Sequence, residues 1–229
     1  MSNPFTIHTE HLSEDYSFNM IKVEGGQFLL DDEIETHIST FYMAQYLVTQ
    51  KLWKTIMNGA PSYFKGVNHP VDQVSRLEVY QFISKLNKKL KVRGSKRFRL
   101  PTEAEWEFAA KGGIYSKGYE YAGSNQLKEV GWYVENSGDT THPVGEKLSN
   151  ELDLYDMSGN LWEWCQDWYG KYSSGPLTDP TGPPFGRRCV LRGGSWFDEA
   201  PTCRVTTRRT HFDDIHDYDI GFRLARASV

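Results

Sequence analysis

The second half of the chain consists of short aromatic segments between Gly, Asn, Asp and Pro, and this pattern restricts the fold more than any other. Beyond Gly113 no helical spacing of apolar residues is sustained. Segments of this kind form turns and short strands. Aromatic residues make up 14% of the 229 residues, and such large side chains can fill an irregular core. The pattern predicts a loop-rich half.

The first half contains three amphipathic segments, each preceded by a helix start signal. Thr49 stands where an N-cap is expected, and Ser75 with Glu78, and Thr102 with Glu105, have the spacing of a capping box. Apolar residues follow each signal at three- and four-residue intervals. Three helices are therefore predicted.

Two strand-like segments precede the helices, and they predict a β-hairpin. They are MIKVEGGQFLL, with apolar residues on both sides of Gly25 and Gly26, and ISTFYMAQYLV, which is rich in aromatic and β-branched residues. Few strands, three helices and a loop-rich half indicate an irregular α+β fold. No repeat or linker divides the chain, so one domain is expected over residues 20–229, after an N-terminal extension of residues 1–19.

The composition excludes several classes of partner. With 26 basic and 30 acidic residues the formal charge is −4, which argues against nucleic acid. No stretch is apolar for the eighteen or so residues that a membrane helix needs. The N-terminus has no apolar signal core, so a cytoplasmic location is expected, or cell-surface display if a leader has been removed. A monomer is also expected. Three cysteines, Cys165, Cys189 and Cys203, are too few for a disulfide framework.

Six segments together resemble the formylglycine-generating-enzyme, or sulfatase-modifying-factor, family. They are FYMAQYLVTQKLWKTIM, HPVDQVS, RLPTEAEWEFAAKGG, HPVGEKLSNELDLYDMSGNLWEWCQDWY, VLRGGSW and IGFRLAR, and they cover roughly residues 20–226 in the family's order. The resemblance implies a variant of the C-type lectin fold, with short twisted strands, few helices and much irregular loop.

The resemblance also implies a catalytic cysteine pair, of which this chain keeps only one member. Enzymes of the family bind copper through two cysteines after Gly-Gly-Ser, and the corresponding positions here are Asp198 and Cys203. A carboxylate is a hard ligand that does not hold copper(I) as a thiolate does. The sequence predicts a buried, unreactive Cys203, no copper and no catalysis. The alternative is a metal-dependent oxidoreductase of the same class with an altered ligand set.

A structural calcium site is a further implication of the resemblance. The family's ligands correspond to Asp156, Gly159, Leu161 and Glu163, and two carboxylates with backbone carbonyls make a suitable oxygen cage for Ca²⁺. The alternative is that Asp156 caps the turn and Glu163 pairs with an arginine. A separate metal site in HFDDIHDYD, from His211 to Asp219, is weaker because its spacing fits no regular ligand geometry.

The interval from Ala200 to Asp219 lacks Lys, Glu, Gln, Met and Trp. All residues within it can be encoded by codons that end in a pyrimidine, whereas those five types cannot. This bias, together with the framing residues, resembles the variable proteins of diversity-generating retroelements, in which adenine-directed mutagenesis diversifies surface positions near the C-terminus. Glu199 departs from the codon rule.

The resemblance implies a diversified segment at residues 197–219, which binds a protein or another macromolecular ligand. Its variable positions are Phe197, Asp198, Pro201, Thr202, Thr206, Thr207, Arg209, Thr210, His211, Phe212, Asp214, Ile215, Asp217, Tyr218 and Asp219. Such a mixture of aromatic and charged side chains suits a binding surface. The alternatives are an ordinary polar loop and, by fold analogy alone, a calcium-dependent sugar site.

The framing residues have the opposite expected role. We predict that five apolar side chains point inward and hold the loops: Trp196, Val205, Ile220, Phe222 and Leu224.

Overall fold

The computed structural model describes residues 6–14 and 16–228, and its elements are short. The strands are β1 (Ile7–Ser13), β2 (Tyr16–Val23), β3 (Gly26–Leu30), β4 (Ile34–Ile38), β5 (Phe41–Ala44), β6 (Trp162–Trp168), β7 (Leu177–Thr178), β8 (Cys189–Arg192), β9 (Arg208–His211), β10 (Ile220–Gly221) and β11 (Ala225–Ala227). The helices are α1 (Gln50–Met57), α2 (Arg76–Lys89), α3 (Glu103–Ala110) and α4 (Leu127–Val130). None of the helices in the described ranges has the length and hydropathy to cross a membrane.

The strands form three small sheets. The first has the order β1-β2-β5-β11 and is antiparallel throughout, so the C-terminal strand β11 forms one edge of the sheet and the N-terminal strand β1 forms the other. The second has the order β10-β6-β8-β9, with β10 parallel to β6 and the other pairs antiparallel. The third joins β3, β4 and β7. The second sheet is the one connected with the segment 197–219, because β9 lies within that segment and β10 follows it directly.

The N-terminal part of the fold differs from the sequence expectation in two ways. Gly25 and Gly26 do not close a hairpin, because β2 belongs to the first sheet and β3 to the third. The hairpin is instead β3–β4, closed by a turn at Asp31 and Asp32, both with positive φ. In addition, β1 pairs with β2 from Ile7 onward, so the sheet begins well before residue 20, where the domain start was predicted.

The three predicted helices are present with their predicted caps. The Thr49 side chain accepts the Leu52 N–H, and complete capping boxes join Ser75 to Glu78 and Thr102 to Glu105. These caps satisfy N–H groups that have no partner within the helix. The short α4 was not predicted.

Buried aromatic side chains fill the space between the sheets and the helices. Trp53 of α1 stacks on Phe82 of α2 with ring centroids 5.2 Å apart, and both rings contact Phe222 edge-on. Trp106 and Trp164 are fully buried. Helices α1 and α2 therefore pack on the chain that follows β10, and these contacts fix the position of that part of the chain.

A buried ion pair crosses this core. Arg223 donates from Nε and Nη2 to the two carboxylate oxygens of Glu163, at 2.6 and 2.7 Å. Neither side chain is exposed, and Trp106 Nε1 donates a third hydrogen bond to Glu163 at 3.0 Å. Bidentate geometry of this kind offsets part of the cost of removing both charges from water.

Removing one charge of this pair should destabilise the fold strongly. We expect Glu163→Gln to lower the free energy of unfolding by about 3 to 5 kcal/mol, because Arg223 would remain buried without a counter-ion. Urea denaturation measures the change. The matched control is Glu24→Gln, which breaks an exposed pair with Lys22 and should cost at most about 1 kcal/mol. Equal effects of the two substitutions would contradict a structural role for the buried pair.

Candidate functional site

The segment 197–219 contains β9, at one edge of the second sheet, and leads to β10 at the opposite edge. It begins after the Gly-Gly-Ser-Trp turn, passes through a short 3-10 turn (Ala200–Cys203), forms the edge strand β9 and returns through a second loop to β10. An edge strand with long flanking loops leaves side chains free to reach solvent. The predicted variable residues therefore lie on one continuous part of the chain surface.

Most predicted variable side chains reach solvent, as a displayed surface requires. Five are exposed: Phe197, Pro201, Phe212, Asp214 and Tyr218. Nine are half-buried: Asp198, Thr202, Thr206, Thr207, Arg209, Thr210, His211, Ile215 and Asp217. Asp219 is the exception, since it is only 7% exposed.

The loop before β9 is held through its main chain. The buried Arg192 donates from Nη1 to the carbonyl oxygens of Thr206 and Thr207, both at 2.6 Å. The Val134 N–H donates to the carbonyl oxygen of Asp198 at 3.1 Å. These bonds use peptide groups that every residue type offers, so they do not depend on the side chains of the loop.

The loop after β9 is held in the same way. The Gln73 N–H donates to the Asp217 carbonyl oxygen at 2.9 Å, and the Trp162 N–H donates to that of Asp219 at 2.8 Å. Strand β9 itself pairs with β8 through a backbone ladder from Cys189 to Arg192. The segment is thus fixed at its start, middle and end by peptide groups.

The five framing residues are buried, as predicted. Trp196 is 5% exposed, Val205 is 3% exposed, and Ile220, Phe222 and Leu224 are fully buried. Gly194 is required beside them because its φ is +75° and a Cβ there would lie 2.5 Å from Cys203 Sγ. The frame therefore combines apolar burial with one turn that tolerates no side chain.

Five aromatic residues form a cluster that we call the aromatic platform: Tyr63, Phe64, Trp196, Phe197 and Tyr218. The Trp196 ring lies 5.2 Å from Phe64, 5.3 Å from Phe197 and 5.8 Å from Tyr218, measured between centroids. Tyr63 lies 6.0 Å from Tyr218. Trp196 Nε1 also donates to the Tyr218 carbonyl oxygen at 3.3 Å. The platform thus has a buried base and three exposed rings.

Two platform residues, Tyr63 and Phe64, come from a loop that the sequence analysis did not connect with the site. The Tyr63 N–H donates to the buried Asp72 carboxylate at 2.6 Å, and burial raises the pKa of Asp72 to about 7. Tyr63 is nevertheless 66% exposed. Two adjacent aromatic residues in a polar loop were the available signal, but they do not indicate where that loop packs.

Asp198 and Cys203, at the positions of the family's cysteine pair, lie close enough to influence each other. Asp198 Oδ2 accepts hydrogen bonds from Trp162 Nε1 at 2.8 Å and from the Ser195 hydroxyl. Cys203 is fully buried, as predicted, and burial, with the Asp198 charge adding to it, raises the pKa of its thiol to about 12. Nucleophilic attack needs the thiolate, and this raised pKa keeps the thiol protonated at neutral pH.

Asp198, Arg209 and Asp219 are predicted variable residues whose side chains contact Trp162, Ser195 or each other. Besides Asp198, Arg209 forms an ion pair with Asp219 and lies over the Trp162 ring, 5.5 Å from its centroid. Asp219 therefore differs from its predicted role as a displayed residue. It is buried because its carboxylate pairs with Arg209 and its carbonyl pairs with Trp162.

The two carboxylates of the implied calcium site accept hydrogen bonds from protein donors. Asp156 Oδ2 accepts the Gly145 N–H at 2.8 Å, and burial raises the pKa of Asp156 to about 6. Both oxygens of Glu163 pair with Arg223. A calcium ion bound by Asp156, Gly159, Leu161 and Glu163 would compete with this guanidinium, so the donor set in its present arrangement does not fit the ion. Calcium binding there stays a prediction.

The acidic and histidine residues of HFDDIHDYD do not converge. His211 Nδ1 accepts the Phe212 N–H, while His216 pairs with Glu78 at 2.8 Å. In residues 6–14 and 16–228 no group of three such side chains is arranged to hold a metal ion. The local metal site considered from the sequence is therefore wrong for this structure.

Comparison with known proteins places this fold in a family. Residues 9–228 match the family model of the sulfatase-modifying factor enzyme 1-like domain. The chain belongs to this family. Among its relatives, the chaperone protein LppX of Paenibacillus barcinonensis is 31% identical over 83% of this chain and 82% of its own length. The formylglycine-generating enzyme of Streptomyces coelicolor is 36% identical over 73% of this chain, and 56% of the enzyme is covered.

Solved structures confirm the predicted α+β fold of the formylglycine-generating-enzyme type. Treponema denticola variable protein 1 superposes with a TM-score of 0.87 and 31% identity, over 97% of this chain and 99% of that one. PvdO from Pseudomonas aeruginosa superposes with a TM-score of 0.79 at 21% identity, over all of both chains. This second likeness concerns the fold alone. The sequence predicted a similarity to variable proteins, and the superposition on Treponema denticola variable protein 1 confirms it.

Frame and displayed positions should respond very differently to substitution. We expect Trp196→Ala to lower the free energy of unfolding by about 3 to 5 kcal/mol, because a buried ring is lost from the base of the platform. Phe212→Ser, Asp214→Ser and Tyr218→Ser should each change it by less than about 1 kcal/mol, because these side chains are exposed. Urea denaturation of the four variants provides the comparison. Large losses at all three exposed positions would show that the segment is part of the core.

Proposed function

We propose that the protein binds a macromolecular ligand, a protein in the first instance, through residues 197–219. We propose further that it is the variable protein of a diversity-generating retroelement and that it is not an enzyme. The observation that carries this proposal is the way the segment is held. Arg192, Val134 and Gln73, which lie outside the segment, hold its peptide groups, so most of its side chains are free to change.

A scaffold of this kind suits a binding site that must vary. Fixed backbone contacts keep the loops ordered, which lowers the entropy lost on binding. Exposed rings and charged groups then supply the contact area and the hydrogen bonds. Solvent-facing loops on a rigid scaffold are a common location of binding sites. The exposed Phe197, Phe212 and Tyr218 have the residue types that such a site needs.

The similarity to Treponema denticola variable protein 1 supports the second part of the proposal. That protein is called variable, and it resembles this chain over nearly its whole length. The absence of five residue types from Ala200 to Asp219 is the matching sequence feature. Substitution of adenines in Asn codons that end in a pyrimidine would produce this bias.

The competing function is a metal-dependent oxidoreductase, because the formylglycine-generating enzyme of Streptomyces coelicolor is a relative. The retained Cys203 is the observation in its favour. Against it, Asp198 supplies a hard carboxylate that is bonded to Trp162 and Ser195, and copper(I) prefers soft sulfur ligands. The raised pKa of Cys203 keeps its thiol protonated at neutral pH.

Copper(I) titration distinguishes the two functions. We expect no tight stoichiometric copper(I) binding, and no difference between the natural chain and Cys203→Ala, in competition with a chromogenic chelator. Cys189→Ala is the matched control, because Cys189 is also a free buried thiol and lies outside the segment. Tight one-to-one binding that Cys203→Ala abolishes and Cys189→Ala preserves would favour the oxidoreductase.

A further inference from the structure

The aromatic platform offers a cation-binding surface because its outer rings are open to solvent. Tyr63 is 66% exposed, Phe197 is 57% exposed and Tyr218 is 40% exposed, while Trp196 beneath them is 5% exposed. Faces of aromatic rings attract ammonium and guanidinium groups through their quadrupole. Arg209 lies over Trp162, outside the platform, and the cation–π contacts found in the described chain do not involve the platform rings.

Carboxylates outnumber cations beside the platform. Asp217 and Asp219 flank Tyr218 in the chain, and Asp198 follows Phe197. Asp198 bonds to the Trp162 indole that lies beneath Arg209, the partner of Asp219. Burial raises the pKa of Asp219, and the charges of Asp217 and Asp198 raise it further. Arg209 opposes them through its ion pair with Asp219. The Asp198 carboxylate accepts bonds from the neutral groups of Trp162 and Ser195. In the described part of the chain Asp219 forms an ion pair, with Arg209, whereas Asp198 and Asp217 form none.

Other cations near the segment are already engaged. Arg204 pairs with Glu120, and Arg208 pairs with Glu103. On the loop that carries Tyr63, Lys65 Nζ donates to the carbonyl oxygens of Ser62 and Ala60. Beyond β9, Arg188 lies over the Phe212 ring, 4.7 Å from its centroid. Arg204 and Arg208 are therefore neutralised by carboxylates, whereas Lys65 and Arg188 contact neutral groups and keep their positive charge.

We propose that the aromatic platform and the flanking carboxylates of Asp198 and Asp217 bind an arginine or lysine side chain of a protein partner. This inference rests on the proposed function and names the chemistry of its ligand. Exposed rings would hold the aliphatic stem and the charged head of such a side chain, and the carboxylates would neutralise it. Tyr63 lies outside the diversified segment, so it supplies a constant anchor while the residues beside it vary.

Titration with two small peptides tests the inference. The probes are Ac-Gly-Arg-Gly-Arg-Gly-NH₂ and its glutamate counterpart, added to ¹⁵N-labelled protein at low salt. We expect the arginine peptide to shift the amide signals of Tyr63, Phe197 and Tyr218 and the indole signal of Trp196, with an affinity that falls as salt is added. We expect the glutamate peptide to leave them unchanged.

Variants locate the binding energy. Tyr63→Ala and Asp217→Asn should each weaken the arginine peptide about two- to fivefold, which corresponds to one exposed cation–π or ionic contact. The matched controls are Tyr115→Ala, an exposed tyrosine after α3, and Glu35→Gln, an exposed carboxylate on β4. Neither control should change the affinity, and thermal unfolding confirms that all four variants fold.

Three results would overturn the inference: equal binding of both peptides, signal shifts centred away from the platform, or no detectable binding of the arginine peptide. In each case the proposed function would stand if the exposed positions still tolerate substitution. Loss of stability at those positions would instead remove the proposed function and this inference with it.

Discussion

The structure depends first on the buried pair of Arg223 and Glu163. Arg223 also donates to the carbonyl oxygens of Tyr155 and Ala44, at 2.8 and 3.2 Å. One guanidinium therefore joins β5 of the first sheet, the turn before β6, and β6 itself. Burying two charges is costly, and the cost is offset only when nearly every donor and acceptor is satisfied. This requirement fixes the chain around Arg223, and with it the C-terminal end of the displayed segment.

A second buried arginine extends the same principle to the start of the segment. Arg192 pairs through Nη2 with Glu107 of α3 and donates from Nη1 to the carbonyl oxygens of Thr206 and Thr207. The core thus supports the loops through charge-assisted bonds to peptide groups. A loop that is held in this way keeps its path when its side chains change, and this separates the folding of the protein from the chemistry of its surface.

Local sequence rules predicted the local parts of the structure. The capping boxes at Ser75 and Thr102 and the burial of Trp196 and Cys203 followed from residue type and spacing. The predicted hairpin at Gly25 is absent because β2 pairs with β1 and β5. Local sequence does not specify which strands pair.

The site was likewise predicted where local sequence was sufficient and missed where it depends on contacts between distant residues. The displayed segment was predicted from its framing motifs and its missing residue types. The place of Tyr63 was not, because nothing in its own loop indicates that the loop lies beside Tyr218. The burial of Asp219 depends on its pairing with Arg209 across the segment, which spacing alone does not specify.

Sequencing the DNA that flanks the gene tests the central claim most directly. A diversified surface predicts a reverse-transcriptase gene and a near-identical repeat of the codons for residues 197–219, differing at adenines of the template copy. Flanking DNA with neither would contradict diversification.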